Sequence, residues 1–298
     1  MKKRSGYFIT QFFYLNLHTL IFIRKMKQLK FLMVAFTLLM GISLTSCLDS
    51  DSDPYSYGYG YAKVVNSYGA TYFTMGKDIT ITPSSGSVAT LLANGIDISK
   101  MTNHVVYITY RWDPALINIT TETKDLQGVD LMGALDLNNR SEIVEEKGAA
   151  NDSVNTAPII SLTSSQSSEV KPIFYDATTL LIPANYYMYS KIHYLTLKYY
   201  PNEETEDNKL RLYLHHNAKG DESTSATSTN YAQQGYLGFL QKAYDLTGIF
   251  ARYALKHGGT RPTTLEIVTL ENPYSVKLDD AQTKEKVYTV TYEEKTDK

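Results

Sequence analysis

The stretch His104-Val105-Val106-Tyr107-Ile108-Thr109-Tyr110-Arg111-Trp112 decides the fold class of this chain. It is rich in β-branched and aromatic residues, which is typical of a strand, and Asp113-Pro114 ends it. Shorter segments of the same kind precede and follow it, separated by turn residues such as Asn66-Ser67-Tyr68-Gly69. Five or six short strands within about 90 residues, with a short helical insert at Val88 to Leu92, predict a small closed β-barrel.

A second series of strand-like segments follows the charged stretch between Ser141 and Ser153, where we place the domain boundary. Lys209 to His216 alternates leucine with polar side chains, as expected for a strand with one buried face. Ile249 to His257 predicts a helix that stops at Gly258-Gly259. Seven or eight strands with polar loops predict a β-sandwich with one short helix. The chain is therefore predicted to be all-β, with a barrel domain at 58–145 and a β-sandwich domain at 146–298.

The residues before the barrel predict a lipoprotein signal peptide. Lys27 and Lys30 precede an apolar run from Phe31 to Leu44, which is shorter than the roughly 20 residues that span a bilayer. The run closes with Leu44-Thr45-Ser46-Cys47, which resembles a bacterial lipobox. In that resemblance the signal is cleaved before Cys47, whose thiol and amine then carry lipid, and several acyl chains give a stable membrane anchor.

The resulting processing scheme covers the first 57 residues. We expect residues 1–46 to be the signal peptide, with translation starting at Met26; a long n-region before the apolar run is the alternative. Residues 47–57 form a lipidated, acidic tether. Acidic residues just after the cysteine resemble export signals of surface lipoproteins in Bacteroides-type bacteria. The predicted location is the outer membrane, lipid-anchored at the cell surface, with the periplasmic face as the alternative.

The charge of the processed chain argues against nucleic acid as a partner. Seven of the 29 Lys and Arg residues lie in 1–46, and none of the 31 Asp and Glu residues does. Residues 47–298 thus contain 22 basic and 31 acidic residues, a net charge of −9. Such a chain is repelled by phosphate backbones. Since the only cysteine is the predicted lipidation site, we expect neither a disulfide nor a thiolate metal site.

A run of tyrosines at the start of the barrel is the candidate binding strip. Tyrosine is the most used aromatic residue, with 25 copies against 10 of Phe and one of Trp. The candidate strip residues are Tyr55, Tyr57, Tyr59, Tyr61 and Trp112. Exposed rings at period two could stack on a sugar or a peptide. The alternative is purely structural: the tyrosines open the first strand, and Trp112 is a half-buried residue that closes the barrel.

We find no catalytic or metal-binding pattern. There is no Gly-rich phosphate loop and no Gly-x-Ser-x-Gly elbow. His215 and His216 are neighbours on a predicted strand, so their side chains point to opposite faces and cannot chelate together; solvent-exposed positions at a strand end are expected. Asp279-Asp280 and the acidic loop 203–207 lack the EF-hand pattern and are interpreted as solvated. The chain is predicted to be a non-enzyme that needs neither a metal nor a cofactor.

The lipobox, Gly60-Tyr61-Ala62-Lys63-Val64-Val65 and Val105-Val106-Tyr107-Ile108-Thr109-Tyr110 together resemble the NigD-like lipoproteins. The resemblance covers the whole mature chain and implies an N-terminal OB-type barrel plus a C-terminal β-sandwich. It carries no catalytic residues. The family's name comes from association with a bacteriocin locus, so the resemblance also implies a bacteriocin-related role. OB barrels often bind oligonucleotides, but the acidic charge opposes that use here.

Three functions remain open. The first is a non-enzymatic, lipid-anchored cell-envelope protein that binds a protein or peptide partner, bacteriocin-related by resemblance. The alternative is a surface lipoprotein that binds glycans through exposed tyrosines. A hydrolase has the weakest support, because no paired carboxylates and no nucleophile–base set stand out in the sequence.

Overall fold

The structure, a computed structural model, describes residues 54–67, 69–76, 78–120, 122–148, 155–163, 170–188, 191–203, 208–221, 232–234 and 241–291. The predicted signal peptide, the lipobox, Cys47 and residues 48–53 of the tether lie outside the described residues. The contacts divide the chain into two compact units. The first takes in the residues up to Gly60 with Asn66–Ile98 and Ile108–Ala134, and the second takes in Tyr61–Val65, Ser99–Tyr107 and the chain from Leu135.

Five strands and one helix make up the N-terminal part. They are β1 (Ser56–Ser67), β2 (Ala70–Met75), β3 (Ile79–Pro83), α1 (Ser85–Ala93), β4 (Val105–Trp112) and β5 (Asp125–Asp136). The strands form a closed barrel in the order β1-β2-β3-β5-β4, with β3 and β5 parallel. The predicted small barrel with a short helical insert is therefore confirmed. Three of its strands, β1, β4 and β5, contain residues of both units.

Alternation along β1 explains which residues fill the barrel. Gly58, Ala62 and Val64 are buried, while Tyr57 and Tyr59 on either side of Gly58 are exposed. Small residues on the inner face leave room for large rings from other strands. A Cβ atom added at Gly58 would lie 2.5 Å from Cζ of Tyr110, so this position requires glycine for close packing.

The C-terminal part has ten strands and one helix in the described residues. They are β6 (Asn138–Ile143), β7 (Ile173–Phe174), β8 (Thr179–Ile182), β9 (Tyr186–Met188), β10 (Tyr194–Tyr199), β11 (Lys209–Asn217), β12 (Ala232–Gln234), β13 (Lys242–Asp245), α2 (Thr247–Lys256), β14 (Thr264–Glu271) and β15 (Lys284–Thr291). Eight of them form one sheet in the order β15-β14-β11-β10-β6-β13-β8-β7, and β12 pairs with β9. The all-β fold class is confirmed.

Two details of this part differ from the sequence-based expectation. The strand β6 lies before the expected boundary at 145/146 but joins the C-terminal sheet, where it runs parallel to β10 and β13. The apolar composition of Thr156 to Leu162 predicts a strand, but this stretch makes only two isolated bridges, at Ile159 and Ser161. The domain bounds 58–145 and 146–298 stay predictions.

The core of the second unit follows the leucine pattern of β11. Leu210, Leu212 and Leu214 are buried in one apolar cluster together with Ile249 and Phe250 of α2. Burial of each such side chain stabilises the fold by about 1.5–3 kcal/mol. As expected, α2 stops at the glycine pair: both glycines have positive φ, and Gly259 N–H donates to the carbonyl of Ala254 at 2.8 Å.

Neither helix of the described chain is both long enough and apolar enough to cross a membrane.

Candidate functional site

The first half of the predicted aromatic strip is exposed on the outside of the barrel. The side chains of Tyr57 and Tyr59 are 46% and 40% exposed. They share one face of β1, because residues two apart along a strand point the same way. Gly58 between them faces the interior, where the Tyr110 ring packs against it. The two tyrosines are thus presented by a strand whose inner side is closely packed.

An arginine connects these tyrosines to the neighbouring strands. The Arg111 guanidinium on β4 lies 4.3 Å from the ring centroid of Tyr55 and donates a hydrogen bond to Tyr57. It is also 3.6 Å from a carboxylate oxygen of Asp130 on β5. Desolvation opposes the charged form of Arg111, but the bond to Tyr57 and the negative charge of Asp130 outweigh it and raise its pKa. We call Tyr55, Tyr57, Tyr59, Arg111 and Asp130 the tyrosine face.

Asp130 is itself held in place. The hydroxyl of Ser84 donates to Asp130 Oδ1 at 2.8 Å, and the same hydroxyl accepts a bond from the Ser87 amide at the start of α1. The helix cap therefore positions the carboxylate that faces Arg111.

Tyr61 and Trp112 are less exposed than Tyr57 and Tyr59. Tyr61 is half-buried, with its ring edge-on to Tyr107 at 5.6 Å, and it packs against the cluster around Val105. Trp112 is only 7% exposed, and its ring lies 5.9 Å from that of Tyr110. Of the expected strip, only Tyr55, Tyr57 and Tyr59 belong to the tyrosine face. The burial of Trp112 agrees with its alternative interpretation, a residue that packs in the barrel and does not bind a ligand.

The structure also reveals a buried polar network in the second unit, which sequence reasoning missed. His193 Nδ1 lies 2.8 Å from His216 Nε2, and His193 Nε2 lies 3.1 Å from Asp221 Oδ2. His216 Nδ1 lies 3.0 Å from the carbonyl oxygen of Pro158. Tyr186 covers both imidazoles, with ring centroids 5.3 Å and 4.9 Å away. His193 and His216 are 9% and 2% exposed.

The hydrogen-bond partners determine which ring nitrogens of the two histidines carry a proton. The Pro158 carbonyl can only accept, so His216 Nδ1 carries a hydrogen. Burial, and next the charge of His193, lower the pKa of His216 from 6.5 to about 4, so this imidazole is neutral at pH 7 and its Nε2 accepts from His193. His193 Nε2 then faces a carboxylate oxygen of Asp221, and two acceptors need a proton between them. One proton therefore lies between His193 Nε2 and Asp221 Oδ2.

The network holds loops together. The backbone N–H of Lys191 also donates to Asp221 Oδ2, at 3.1 Å, so three separate segments of the chain converge on these side chains. The described side chains around His193 and His216 leave no space for a water molecule between them. A buried, satisfied network of this kind orders its loops.

The histidine pair of β11 and the acidic segments were the other candidates in the sequence. His215 and His216 point to opposite faces of β11, as predicted, but His216 is buried and was expected to be exposed. The sequence could have indicated this burial, because His216 follows Leu210, Leu212 and Leu214 at the same two-residue spacing on the buried face of β11. Among the described residues, no group of three or more His, Cys, Asp or Glu side chains is arranged to hold a metal. Residues 204–207 of the acidic loop lie outside the described residues.

The chain was compared with known proteins. No protein-family model and no curated protein sequence matches it. Among solved structures, a "putative lipoprotein" from Bacteroides fragilis is 23% identical, with 80% of this chain and 99% of that chain covered and a TM-score of 0.62. An uncharacterized protein from Parabacteroides merdae is 12% identical, covering 79% and 99%, with a TM-score of 0.45. A NigD-like immunity protein from Bacteroides caccae is 11% identical, covering 80% and 94%, also at 0.45.

The chain has the fold of the Bacteroides fragilis protein, and a NigD-like immunity protein is among its structural neighbours.

Proposed function

We propose that this chain is a lipid-anchored protein of the cell envelope that binds a protein or peptide partner through the tyrosine face. The observation that carries the proposal is the exposure of Tyr57 and Tyr59 beside the guanidinium of Arg111 on one outer surface of the barrel. Tyrosine and arginine are among the residue types enriched where proteins bind one another.

The tyrosine face is pre-organised for binding. Tyr57 and Tyr59 sit on a strand rather than a loop, and the contact of Gly58 with the Tyr110 ring prevents that strand from moving inward. The guanidinium of Arg111 is held by Tyr55 and Asp130, so it loses little freedom when a partner arrives. Rigid aromatic side chains give large contact area at low entropic cost, which favours affinity.

The anchor and the location are part of the same proposal. The lipobox at Leu44 to Cys47 supports acylation at Cys47, and the acidic residues after it support the cell surface over the periplasmic face of the outer membrane. The family resemblance makes a bacteriocin-related protein the first partner to test. A non-enzymatic role is supported by the sequence, which has no Gly-rich phosphate loop, no Gly-x-Ser-x-Gly elbow and no paired carboxylates that stand out, and by a structural neighbour whose name specifies no enzyme.

Glycan binding is the second candidate, and the same two tyrosines favour it. Residues two apart along a strand are about 6.6 Å apart, so the rings of Tyr57 and Tyr59 could stack on consecutive parts of one sugar chain. The acidic net charge favours a neutral or basic glycan over an acidic one.

A photo-crosslinking experiment on intact cells tests the proposal. We would place a photoreactive phenylalanine at Tyr57 in the full-length chain and, as a matched control, at Tyr274, which is exposed on the other unit. The expected result is one defined protein adduct from position 57 that is absent from position 274. Replacing Tyr59 and Arg111 by alanine should remove it.

The alternatives give different results. If both positions give the same adducts, or none, the tyrosine face is not a protein-binding surface. Retention of the chain on one class of immobilised glycan, lost on Tyr57→Ala and kept on Tyr274→Ala, would assign the face to sugars instead.

A further inference from the structure

Two tyrosine rings and a carboxylate surround a lysine ammonium in the second unit. Lys147 Nζ lies 4.4 Å from the ring centroid of Tyr213 and 5.6 Å from that of Tyr200. The carboxylate oxygen Glu203 Oε2 lies 3.2 Å from the same nitrogen. A cation within about 6 Å of an aromatic centroid is attracted by the ring quadrupole. We call Tyr200, Tyr213 and Glu203 the tyrosine cage.

The walls of the cage are held by the sheet and not by the lysine. Tyr213 lies on β11 and pairs with Lys198 of β10, and Tyr200 directly follows β10. The two rings meet edge to face, with centroids 5.2 Å apart and planes at 67°. The hydroxyl of Tyr213 donates to Glu203 Oε2 at 3.4 Å, and the hydroxyl of Tyr200 lies 3.3 Å from His215 Nε2. The cage therefore keeps its shape when Lys147 leaves it.

Lys147 can leave the cage without any movement of the main chain. Glu145, two residues earlier, is held in place, because its carboxylate accepts two bonds from Arg252 at 3.0 Å and its carbonyl accepts one from Asn202 at 2.9 Å. The side chains of Lys147 and Glu203 are 47% and 36% exposed. Ion pairs of such exposure change an equilibrium constant by at most about fivefold. The two rings add cation–π attraction for Lys147, so Lys147 competes with a ligand cation through the same contacts.

We propose that the tyrosine cage is a second binding site, which takes the alkylammonium group of a ligand in place of Lys147. Its ligand carries either a primary ammonium, as in a lysine side chain, or a quaternary one, as in a trimethylammonium head group. Both share the cation that two rings and a carboxylate recognise. The excess of acidic over basic residues in 47–298, 31 against 22, raises the local concentration of such cations. The site is separate from the tyrosine face and does not depend on the function proposed for that face.

The test is a titration of the full-length chain, in a non-ionic detergent, with tetramethylammonium and with n-butylammonium. Binding is followed by the ring proton resonances of Tyr200 and Tyr213. The expected result is saturable binding that becomes tighter by about fivefold or more in Lys147→Ala, because the ion pair and both ring contacts of the internal competitor are gone. Lys171→Ala, which removes another exposed lysine, should bind as the wild type does. The preferred cation assigns the ligand as lysine-like or quaternary.

Three comparisons can overturn the proposal. A neutral analogue, tert-butanol, should shift these resonances at least tenfold less at equal concentration, and equal shifts would mean simple apolar contact. Tyr213→Leu in the Lys147→Ala background should abolish saturation, and unchanged binding would show that the rings are not the site. Tyr213→Phe keeps the ring and should retain binding if the leucine variant does not fold. Equal affinity of wild type and Lys147→Ala would refute the competition by Lys147.

Discussion

Replacing His216 by glutamine should remove a defined part of the acid sensitivity of the second unit. The pKa of His216 is lowered from 6.5 to about 4, first by burial and second by the charge of His193. Glutamine does not titrate, and its amide can still donate to the Pro158 carbonyl and accept from His193. The variant therefore removes the titration of this side chain and keeps its hydrogen bonds, so a change in the pH dependence of stability reports on titration alone.

The pKa values of His216 in the unfolded and folded chain determine how the free energy of unfolding changes with pH. Between pH 6.5 and 4 the unfolded chain binds a proton at this position and the folded chain does not, so the free energy of unfolding falls as the pH falls. The stabilisation is fully present above pH 6.5. One unit of pKa shift corresponds to about 1.4 kcal/mol, so the wild type should lose about 2 kcal/mol through this group by pH 5 and about 3 kcal/mol by pH 4.

The assay is urea unfolding of wild type and His216→Gln from pH 7.5 to pH 4, followed by a fluorescence or NMR probe in the second unit. The difference in unfolding free energy between the two proteins should shrink by about 3 kcal/mol over this range. His215→Gln, one residue away on the opposite face of β11, serves as the control and should keep the His216 component. Parallel curves for wild type and His216→Gln would refute the proton assignment of the buried network.

Three further variants test the fold and the anchor. Leu212→Ala should lower the free energy of unfolding by about 2–5 kcal/mol, since it leaves a cavity in the core cluster, and a loss under 1 kcal/mol in urea unfolding would contradict that packing. Gly58→Ala should destabilise by about 1–3 kcal/mol because its Cβ meets the Tyr110 ring, whereas Gly86→Ala in α1 meets nothing within 4 Å and should be neutral or stabilising; equal melting temperatures would count against the packing at Gly58. Cys47→Ala should release the folded chain from membranes under alkaline extraction, and continued membrane association would disprove lipid anchoring.

The strands were predictable where their pattern is local. The alternation of Lys209 to His216 and the β-branched run of His104 to Trp112 identify β11 and β4, since the inward and outward faces of a strand are visible in every second residue. The glycine pair after His257 likewise marks the end of α2. The stretch 117–123 also has the composition of a strand, but its described residues form none. There the hydroxyls of Thr120 and Thr123 bond to each other and accept bonds from the local backbone.

The candidate sites were only partly predictable. Tyr57 and Tyr59 could be selected from their period-two spacing, and their exposure agrees with it. Trp112 could not be excluded from the strip, because its direction depends on how β4 closes the barrel. The role of Arg111 as the link between the tyrosines and Asp130 also requires the strand order, which places β4 beside both β1 and β5.

The sequence by itself determined the all-β class, the acidic charge, the predicted anchor and the alternating faces of the strands, because each depends on composition or on neighbouring residues. Only the tertiary structure decided what those faces meet. His193, His216 and Asp221 come together through the register of β10 and β11, and Lys147 reaches Tyr200 and Tyr213 from more than 50 residues away. The physical reason is that register and strand order are set by the packing of the whole core, which no local pattern specifies.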